Sequence, residues 1–364
     1  MAGTLKVGIA GGGWPGLRHA EGYKAAGGFK IVSVADPIPE RRAKLVATSS
    51  VGNTMPRAVE DVQSLIHDKE LDAISICLPT EMHVTVATAA MKAGKHVVIE
   101  PPPGPTLGSA KQLAKAAAKY GKTLVYGLQR RFGAAEQAAR QAIEKGHIGE
   151  PFHARAAWTR VRGVPQGTGW YTDAEKSGGG ALIDMGLPFF DLAWSLMGQP
   201  DPQTVFTITH KRFGELAGES AEDSAIAIVK FSNGASLELV SAWATNLPPS
   251  QIGTVCRVSG DSGAVEVYTP RGPMVYRGFD GPRGAAPKET SLKLPKLAGH
   301  GAMLRHFRDC IANSEQPQVG PDAGLVLMSV IEAMYKSAAT GKSVDVKLPT
   351  GRAVDVGEMD DAGE

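Results

Sequence analysis

Three glycines and one acid near the N-terminus have the spacing that a dinucleotide site requires. Gly11, Gly13 and Gly16 lie in "GGGWPG", directly after the short apolar run "LKVGIA". Asp36 ends the next β-branched run, twenty residues after Gly16. In such a strand, turn and helix unit the pyrophosphate lies at the helix N-terminus, and the acid binds the ribose hydroxyls. The spacing therefore predicts a dinucleotide site, with a tight structural turn as the alternative.

Further residues of this segment bear on which dinucleotide is bound. Asp36 accepts hydrogen bonds from ribose hydroxyls and repels a 2′-phosphate, so NAD is favoured over NADP. Arg41 and Arg42 lie close enough in the sequence to reverse that preference. Pro15 removes one N–H from the anion cradle, but proline suits a first helical turn. We expect Trp14 and Arg41 to line the cofactor site.

A glycine- and proline-rich segment, "RVRGVPQGTGWYTDAEKSGGG", combines residue types that bind sugars. Trp170 can stack on a pyranose face, and the Tyr171 phenol can pass a proton where a cation lowers its pKa. Arg160 and Arg162 alternate on one strand face, where they can bind a carboxylate or a hydroxyl-rich molecule. The segment therefore predicts a substrate-binding loop. The alternatives are a solvated connection, an interface role for Trp170, and solvated arginines.

These residues need a scaffold, and residues 1–128 have the pattern of a doubly wound α/β domain. Short apolar runs alternate with segments of helical spacing, so strands alternate with crossover helices. That order requires a parallel sheet covered on both faces, with ligand at the carboxyl ends of its strands. One of the predicted helices lies in "RAVEDVQSLI".

Residues 129–348 have a different pattern, with long runs of alternating polar and apolar residues. Period two predicts a mostly antiparallel sheet with one open face, and "FSNGAS" and "GDSGA" predict hairpin turns. Two helices then precede a last short strand, and residues 349–364 form a tail. The expected fold class is α/β plus α+β, a Rossmann-type doubly wound sheet followed by a domain on a large open-faced sheet. Because an open face of this kind is often covered by another subunit, we expect an oligomer.

The composition excludes several other classes of protein. The chain has 364 residues, enough for two domains, and its net charge of +2 gives no reason to expect nucleic acid or a membrane surface as partner. The three cysteines, Cys77, Cys256 and Cys310, are widely spaced, which indicates reduced thiols. His306 and Cys310 share a helical face but lack a third ligand, so no metal is expected. The N-terminal segment lacks the pattern of a secretion signal, and we expect a cytoplasmic protein.

Four motifs along nearly the whole chain resemble those of the glucose–fructose oxidoreductase, inositol dehydrogenase and MocA family. They are the glycine turn with Asp36, "CLPTEMH", "AGKHVVIEPP" and "GGGALIDMGLPFFDLAWSLMG". The resemblance implies NAD(P)-dependent oxidation or reduction of a sugar, cyclitol or related polyol. The same resemblance implies that the open sheet forms the interface of a homodimer or homotetramer. It also implies cofactor contacts at six further positions: Leu78, Pro79, Thr80, His83, Glu100 and Gln129.

The chain departs from the family pattern at two prolines. The family's E-K-P element has a lysine after the glutamate, and here Pro101 follows Glu100. Its D-x-G-x-H-x-x-D element has a histidine as the usual acid–base residue, and here Pro188 stands between Asp184 and Asp191. Proline carries no group that can accept the hydroxyl proton when hydride leaves carbon. The resemblance therefore implies that both usual proton-transfer residues are absent.

Asp184 is the strongest candidate to replace them, because it occupies the family's site helix, and Tyr171 is the second. We expect both to contact substrate. A helix-capping role is the alternative for Asp184, and a packing or pairing role is expected for Asp191. Because its ring would collide with the carbonyl four residues back, Pro188 predicts a helix that begins near Leu187 or bends there. The run of prolines 101–103 predicts a stiff, extended segment in which an X–Pro bond can be cis.

Two functions from different classes agree with these features. The first is a nicotinamide-dependent oxidoreductase acting on a sugar, cyclitol or keto-sugar with a rebuilt proton relay. In a variant of it, NAD stays bound and assists elimination, hydrolysis or epimerisation. The second is a catalytically silent sensor or regulatory protein that binds NAD and a sugar. The intact glycine turn and the Trp170 and Tyr171 loop favour the enzyme, whereas the two prolines favour the sensor.

Overall fold

The computed structural model describes residues 3–165, 169–213, 220–277 and 286–349. Within them the chain forms two compact units. The first comprises residues 3–127, 303–328 and 348–349, and the second comprises the described residues of 128–302 and 329–347. The domain boundaries expected from the sequence stay a prediction. The expected tail lies outside the described residues from residue 350 onward.

The first unit contains a six-stranded parallel sheet with the order β3-β2-β1-β4-β5-β6. Its strands are β1 (Leu5–Ala10), β2 (Phe29–Ala35), β3 (Arg57–Val59), β4 (Ala73–Ile76), β5 (His96–Ile99) and β6 (Leu124–Tyr126). The helices between them are α1 (Trp14–Ala26), α2 (Pro39–Ser49), α3 (Val62–Ile66), α4 (His83–Lys92) and α5 (Leu107–Tyr120). The predicted doubly wound sheet is confirmed, and its order reverses between β1 and β4, where such sheets bind ligands.

Local sequence explains two irregular features of this unit. In "RAVEDVQSLI" the predicted helix is partly wrong, because the first three residues form the edge strand β3. Asp61 then starts α3 as its N-cap, since its side chain accepts from the N–H of Gln63. The segment after β5 is irregular and contains a cis bond between Pro101 and Pro102, as the proline run allows.

The second unit contains a nine-stranded sheet with the order β14-β13-β12-β11-β7-β10-β9-β8-β15. Its strands are β7 (Pro151–Thr159), β8 (Pro202–His210), β9 (Ser224–Phe231), β10 (Ser236–Ala242), β11 (Thr254–Gly260), β12 (Gly263–Glu266), β13 (Met274–Arg277), β14 (Lys288–Ser291) and β15 (Val344–Asp345). Neighbouring strands are antiparallel except for β7 and β10. The mostly antiparallel sheet and both predicted hairpins, β9 to β10 and β11 to β12, are confirmed.

One face of this sheet is covered and the other is open. Along β9 buried residues alternate with residues that are exposed or half-buried, as expected for a one-sided sheet. The remaining helices are α6 (Ala134–Glu144), α7 (Ala174–Ser177), α8 (Leu187–Leu196), α9 (Gly299–Asn313) and α10 (Pro321–Thr340). The almost wholly buried α8 packs against β7, β10 and β11 on the covered face. Among the described helices, none combines the length and the apolar content needed to cross a bilayer.

Candidate functional site

The glycine turn of the first unit is fixed by close backbone contacts at two of its glycines. Gly11 has a φ of +99°, and a Cβ there would lie 2.2 Å from the carbonyl oxygen of Cys77. A Cβ at Gly16 would lie 1.9 Å from the carbonyl oxygen of Gly11. Contacts this short are sterically forbidden, so the fold itself requires glycine at both positions.

Gly13 has no such structural reason to be glycine. Its backbone is extended (φ −67°, ψ −175°), and an added Cβ would meet only Pro15 Cδ, at 3.7 Å. Helix α1 begins at Trp14, and no side chain caps its first N–H groups. Uncapped N–H groups at a helix start attract an anion, and a side chain at Gly13 would obstruct its approach. The Trp14 ring is 59% exposed, beside the Arg18 guanidinium. This arrangement fits the pyrophosphate of a dinucleotide.

Asp36 is buried beside the glycine turn and is held by backbone N–H groups. Its Oδ2 accepts from Gly12 at 2.6 Å, and its Oδ1 accepts from Ile38 at 2.8 Å. Each carboxylate oxygen has a second lone pair with which to accept from a ribose hydroxyl. The residue types and positions therefore fit the adenosine end of the same dinucleotide.

The two arginines that follow Asp36 differ in their surroundings. Arg42 is occupied, since it donates to the carbonyl oxygen of Asp36 at 2.6 Å and pairs with Glu60 at 3.2 Å. Arg41 is exposed at the start of α2. Of the two, only Arg41 therefore remains as a candidate for ligand contact.

His83 joins two of the segments that are predicted to contact the cofactor. It begins α4 and is buried, with Nδ1 2.9 Å from the carbonyl oxygen of Pro102 and Nε2 2.9 Å from that of Leu78. Burial lowers the pKa of His83, and a neutral ring donates to one of these carbonyls at a time. Because both ring nitrogens face the backbone, we interpret His83 as a residue that positions the strand-end loops. Between Leu78 and His83 lie Pro79, which is half-buried, and Thr80, which is buried.

Glu100 follows β5 and is turned towards a buried histidine. His19 Nε2 lies 2.9 Å from Glu100 Oε1, and His19 Nδ1 lies 2.9 Å from Ser75 Oγ. Burial lowers the pKa of His19, but the neighbouring Cys77 and Glu100 outweigh it and raise the value to about 10. When His19 is protonated, its contact with Glu100 is an ion pair. The Glu100 side chain remains 14% exposed, so it can still be reached by a ligand.

A short 3₁₀ turn, Gln129–Phe132, opens the second unit. Within it Arg131 points into the core and pairs with Asp191 at two points, Nε to Oδ2 at 2.8 Å and Nη2 to Oδ1 at 2.5 Å. Both side chains are almost completely buried, so the pairing role expected for Asp191 is confirmed. The cofactor contact expected for Gln129 stays a prediction.

The two predicted catalytic residues are hydrogen-bonded to each other in the second unit. The Tyr171 hydroxyl donates to Asp184 Oδ1 at 2.7 Å, and the indole N–H of Trp243 donates to Asp184 Oδ2 at 2.7 Å. The capping role considered for Asp184 is wrong, because its own N–H is bonded to the Gly180 carbonyl inside the helical segment. Tyr171 and Asp184 are half-buried, whereas Trp243 is fully buried. Such a carboxylate can take the phenol proton when the phenol receives another.

A wide helical turn positions Asp184. Leu182–Gly186 form a π-helical turn, and α8 begins directly after it, with Pro188 in its first turn. The predicted helix start near Leu187 is confirmed. The Glu222 carboxylate fixes the beginning of the turn, because it accepts from two backbone N–H groups there, both at 2.9 Å. Single π-helical turns are frequent at functional sites, and here the turn holds the predicted catalytic acid.

The aromatic residues of the predicted loop pack beside Asp184. The ring centroids of Trp170 and Tyr171 are 4.6 Å apart, and those of Tyr171 and Trp243 are 6.4 Å apart. Tyr171 and Trp158 pack against the buried cluster that contains Trp243. Residues 166–168 of the loop lie outside the described residues. The structure therefore brings Trp170, Tyr171 and Asp184 together.

The two arginines predicted to bind substrate have different partners. The Arg160 guanidinium lies 4.7 Å from the Trp158 ring centroid and donates one long bond, to the Gly163 carbonyl at 3.4 Å. Arg162 is exposed and donates to the Thr245 carbonyl at 2.6 Å. We therefore keep Arg160 as a candidate for substrate binding. We interpret Arg162 as a residue that links its own segment to the one that contains Thr245.

Sequence reasoning missed three contributors to this site: Arg130, Trp158 and Trp243. The Arg130 guanidinium stacks on Trp158 and Phe189, at 4.6 Å and 4.4 Å from the ring centroids. Trp158 has the same parity as the fully buried Ala154 and Ala156 of β7, so the period-two pattern could have revealed its inward direction. Trp243 carries no comparable signal, since 59 residues separate it from Asp184.

Comparisons with known proteins cover both units. The family described as "Oxidoreductase family, NAD-binding Rossmann fold" matches residues 5–128, and its "C-terminal alpha/beta domain" matches residues 140–347. A D-glucoside 3-dehydrogenase of Escherichia coli (strain K12) is 28% identical over 357 residues, which are 94% of this chain and 97% of that protein.

Solved structures give the same picture of the fold. The aldose-aldose oxidoreductase from Caulobacter crescentus, complexed with glycerol, has a TM-score of 0.78 at 25% identity, over 94% of this chain and 99% of that chain. A levoglucosan dehydrogenase in complex with NADH and levoglucosan has a TM-score of 0.82 at 21% identity, over 94% of this chain and 99% of that chain. At such identity the second likeness establishes the fold alone.

Proposed function

Because the chain belongs to the oxidoreductase family of glucose–fructose oxidoreductase, inositol dehydrogenase and MocA, we propose that it transfers hydride between NAD and a sugar, cyclitol or related polyol. The observation that carries the proposal is the cradle in which Gly13 leaves space beside uncapped helix N–H groups and next to buried Asp36. The relatives named for D-glucoside and aldose support the substrate class. When bound, NAD accepts the hydride that leaves the substrate carbon.

The coenzyme we propose is NAD in preference to NADP. The Asp36 carboxylate accepts from the backbone N–H groups of Gly12 and Ile38, which carry no positive charge, so its negative charge would face a 2′-phosphate. Arg42 is engaged by a backbone carbonyl and by Glu60, which leaves it unsuited to that phosphate. We expect NADP to bind at least about tenfold more weakly than NAD.

We propose that Tyr171 and Asp184 supply the proton relay. The substrate hydroxyl proton passes to the Tyr171 oxygen as the phenol proton moves to Asp184 Oδ1, 2.7 Å away. The Trp243 N–H holds the other carboxylate oxygen, so the acid keeps its orientation. Pro101 and Pro188 offer no group for proton transfer, and this pair takes that role.

A coenzyme titration followed by a substrate panel tests the proposal. Purified protein is titrated with NAD, NADH and NADP, and pyranosides, cyclitols and keto-sugars are then added while the nicotinamide absorbance is followed. Tight binding of NAD and an absorbance change with at least one compound are expected. A protein with no affinity for any of the three coenzymes would sink the proposal.

The second candidate function is a catalytically silent sensor that binds NAD and a sugar. The two prolines favour it, because neither can move a proton. The same panel separates the two candidates: coenzyme and sugar binding without any absorbance change across the panel supports the sensor. A bound coenzyme that is transiently reduced during elimination or epimerisation would instead give a product without net change in absorbance, and product analysis detects it.

Two further proposals concern the state of the protein in the cell. The open face of the nine-stranded sheet is the surface we assign to a homodimer or homotetramer, because apolar residues of β8 and β9 are exposed on it. Cys77, Cys256 and Cys310 are unpaired, which suits the reducing cytoplasm that we expect for this protein.

A further inference from the structure

Arg130 and Arg160 place two guanidinium groups around one tryptophan in the second unit. The Arg130 group lies 4.6 Å from the Trp158 ring centroid and 4.4 Å from that of Phe189, and the Arg160 group lies 4.7 Å from Trp158. Both arginines are half-buried. A guanidinium over an aromatic ring is attracted by the ring itself, which does not use up its N–H groups as hydrogen-bond donors to oxygen.

The described part of the chain uses few of these N–H groups. Arg130 donates to the Tyr268 hydroxyl at 3.3 Å, and Arg160 donates to the Gly163 carbonyl at 3.4 Å, both long for such bonds. Among the described residues, no carboxylate lies within ion-pair distance of Arg130 or Arg160. Each guanidinium, which carries several N–H donors, therefore has most of them available.

The acid that is linked to Arg130 through Tyr268 is engaged by a neutral donor. Arg130 donates to the Tyr268 hydroxyl, and that hydroxyl donates to Glu136. The two positive charges are therefore not neutralised by direct pairing. A half-buried cation without a direct partner binds an anion strongly, because charge-assisted hydrogen bonds are about twice as strong as neutral ones.

Structure behind each arginine holds it in place. The buried pair of Arg131 with Asp191 anchors the turn that carries Arg130. The backbone N–H of Arg160 donates to the Ala242 carbonyl at 3.0 Å, next to the end of β7. The two cations are therefore preorganised, which lowers the entropy cost of binding a ligand.

We infer that Arg130 and Arg160 form a carboxylate-binding subsite, and that the substrate of the proposed dehydrogenase is a sugar acid, a uronate or an aldonate. A carboxylate is planar and matches the edge of a guanidinium with two parallel hydrogen bonds. The aromatic rings lie against the guanidinium groups, and the two coplanar oxygens of a carboxylate can reach the N–H groups that remain on a guanidinium edge. The assignment of this anion as the substrate rests on the proposed function; its binding does not require turnover.

Matched sugar pairs test the inference on the unmodified protein. Glucose and glucuronate, galactose and galacturonate, and glucitol and gluconate are titrated by calorimetry, with glucose 6-phosphate alongside, in the presence of NAD. At least one acid should bind about tenfold or more tightly than its neutral partner, and this preference should weaken as salt is added. The inference is overturned if every neutral sugar binds as well as its acid, or if the sugar phosphate binds more tightly than all the acids.

Three variants assign the preference to residues. Arg130→Met and Arg160→Met keep an unbranched apolar side chain and remove the charge. Each should reduce acid binding about tenfold more than it reduces binding of the neutral partner sugar. Arg271→Met is the matched control, since Arg271 is exposed in the same unit and pairs with Glu289. Acid preference that survives in Arg130→Met and Arg160→Met refutes the subsite. If circular dichroism shows Arg130→Met to be unfolded, Arg160→Met and the unmodified protein decide the question.

The same data separate this inference from the function on which it rests. Reduction of NAD by neutral sugars without acid preference leaves the dehydrogenase standing and removes the subsite. A preference for acids in a protein that binds no coenzyme keeps the subsite and rejects the dehydrogenase.

Discussion

Gly13 differs from the other two glycines of its turn because, among the described residues, an added Cβ would meet only Pro15 Cδ, at an ordinary contact distance of 3.7 Å. We predict that Gly13→Ala folds like the parent protein but binds NAD at least about tenfold more weakly, since the methyl group stands where the pyrophosphate approaches. Thermal unfolding and NAD titration of the same samples check both halves of this expectation.

Gly16→Ala is the matched control for that prediction. Its Cβ would lie 1.9 Å from the Gly11 carbonyl oxygen, so this variant should lose stability whether or not NAD is present. Unchanged NAD affinity in Gly13→Ala would contradict the pyrophosphate assignment. An equal loss of stability in both variants would instead make Gly13 a structural residue.

The relay gives a second prediction about single residues. Tyr171→Phe and Asp184→Asn should each lower kcat about 100-fold or more, because each removes one end of the path along which the proton moves. Because the two act as a unit, the double variant should be no slower than the slower single variant. Steady-state kinetics with the best substrate of the panel, together with NAD titration, provide the measurement.

Tyr276→Phe, on strand β13 of the same sheet, controls for loss of a phenol. It should leave kcat and NAD affinity unchanged. Full activity in both Tyr171→Phe and Asp184→Asn would remove the pair from consideration, and additive losses in the double variant would mean that the two residues act separately.

A pH-sensitive hydrogen bond joins the start of strand β5 to the residue that precedes strand β6. His96 begins β5, and its Nδ1 accepts the N–H of Thr123 at 3.0 Å, which requires an unprotonated nitrogen. Burial and then the neighbouring Lys122 lower the pKa of His96 from 6.5 to about 4. As the pH falls, His96 is therefore protonated in the unfolded chain at a higher pH than in the folded protein. Its contribution to the free energy of unfolding is complete above about pH 6.5 and is lost as the pH falls towards 4.

His96→Asn tests this linkage, since an amide oxygen can accept the same N–H without titrating. The free energy of unfolding, measured in urea at several pH values, should fall more steeply for the parent than for His96→Asn between pH 6.5 and pH 4. His67→Asn, at an exposed histidine of the same unit, should follow the parent curve. Parallel curves for the parent and His96→Asn would refute the assignment.

Local sequence patterns predict most of the helices and strands, and the ones that they do not predict have physical causes. The alternation along β9 predicts a strand buried on one side, and the proline predicts the start of α8. Both signals lie within a few neighbouring residues. Strand β3 was missed because Arg57–Val59 has no apolar run of its own and pairs only with the edge of β2. The π-helical turn around Asp184 was missed because Glu222, far along the chain, fixes its beginning.

The candidate site shows the same division between local and distant causes. Tyr171 and Asp184 could each be named as candidates, because loop composition marked the first and the motif resemblance marked the second. The hydrogen bond between them was not predicted. Trp243 and Arg130 complete the site through contacts that the tertiary fold creates, between residues that no short pattern relates. Distance along the chain therefore limited what could be predicted more than chemistry did.

At the scale of the whole molecule, the open sheet face carries an apolar patch built from two cross-strand pairs. Phe206 lies opposite Ile228, and Ile208 lies opposite Ile226, on strands β8 and β9. These four side chains are between 39% and 56% exposed. Contiguous exposed apolar residues of this kind mark an association surface, and burying them against a second copy of the chain would stabilise a dimer.

We predict that Ile228→Lys converts the oligomer to a monomer without unfolding it. Ile228 is 56% exposed in the single chain, so a lysine there is tolerated, whereas in a self-association interface it would place an unpaired charge among apolar side chains. Sedimentation analysis gives the mass, and circular dichroism checks the fold. Met55→Lys is the control, because Met55 is a 68% exposed apolar residue of the first unit and is not part of this patch. A parent protein that sediments as a monomer, or an Ile228→Lys variant of unchanged mass, would mean that the patch faces some other partner.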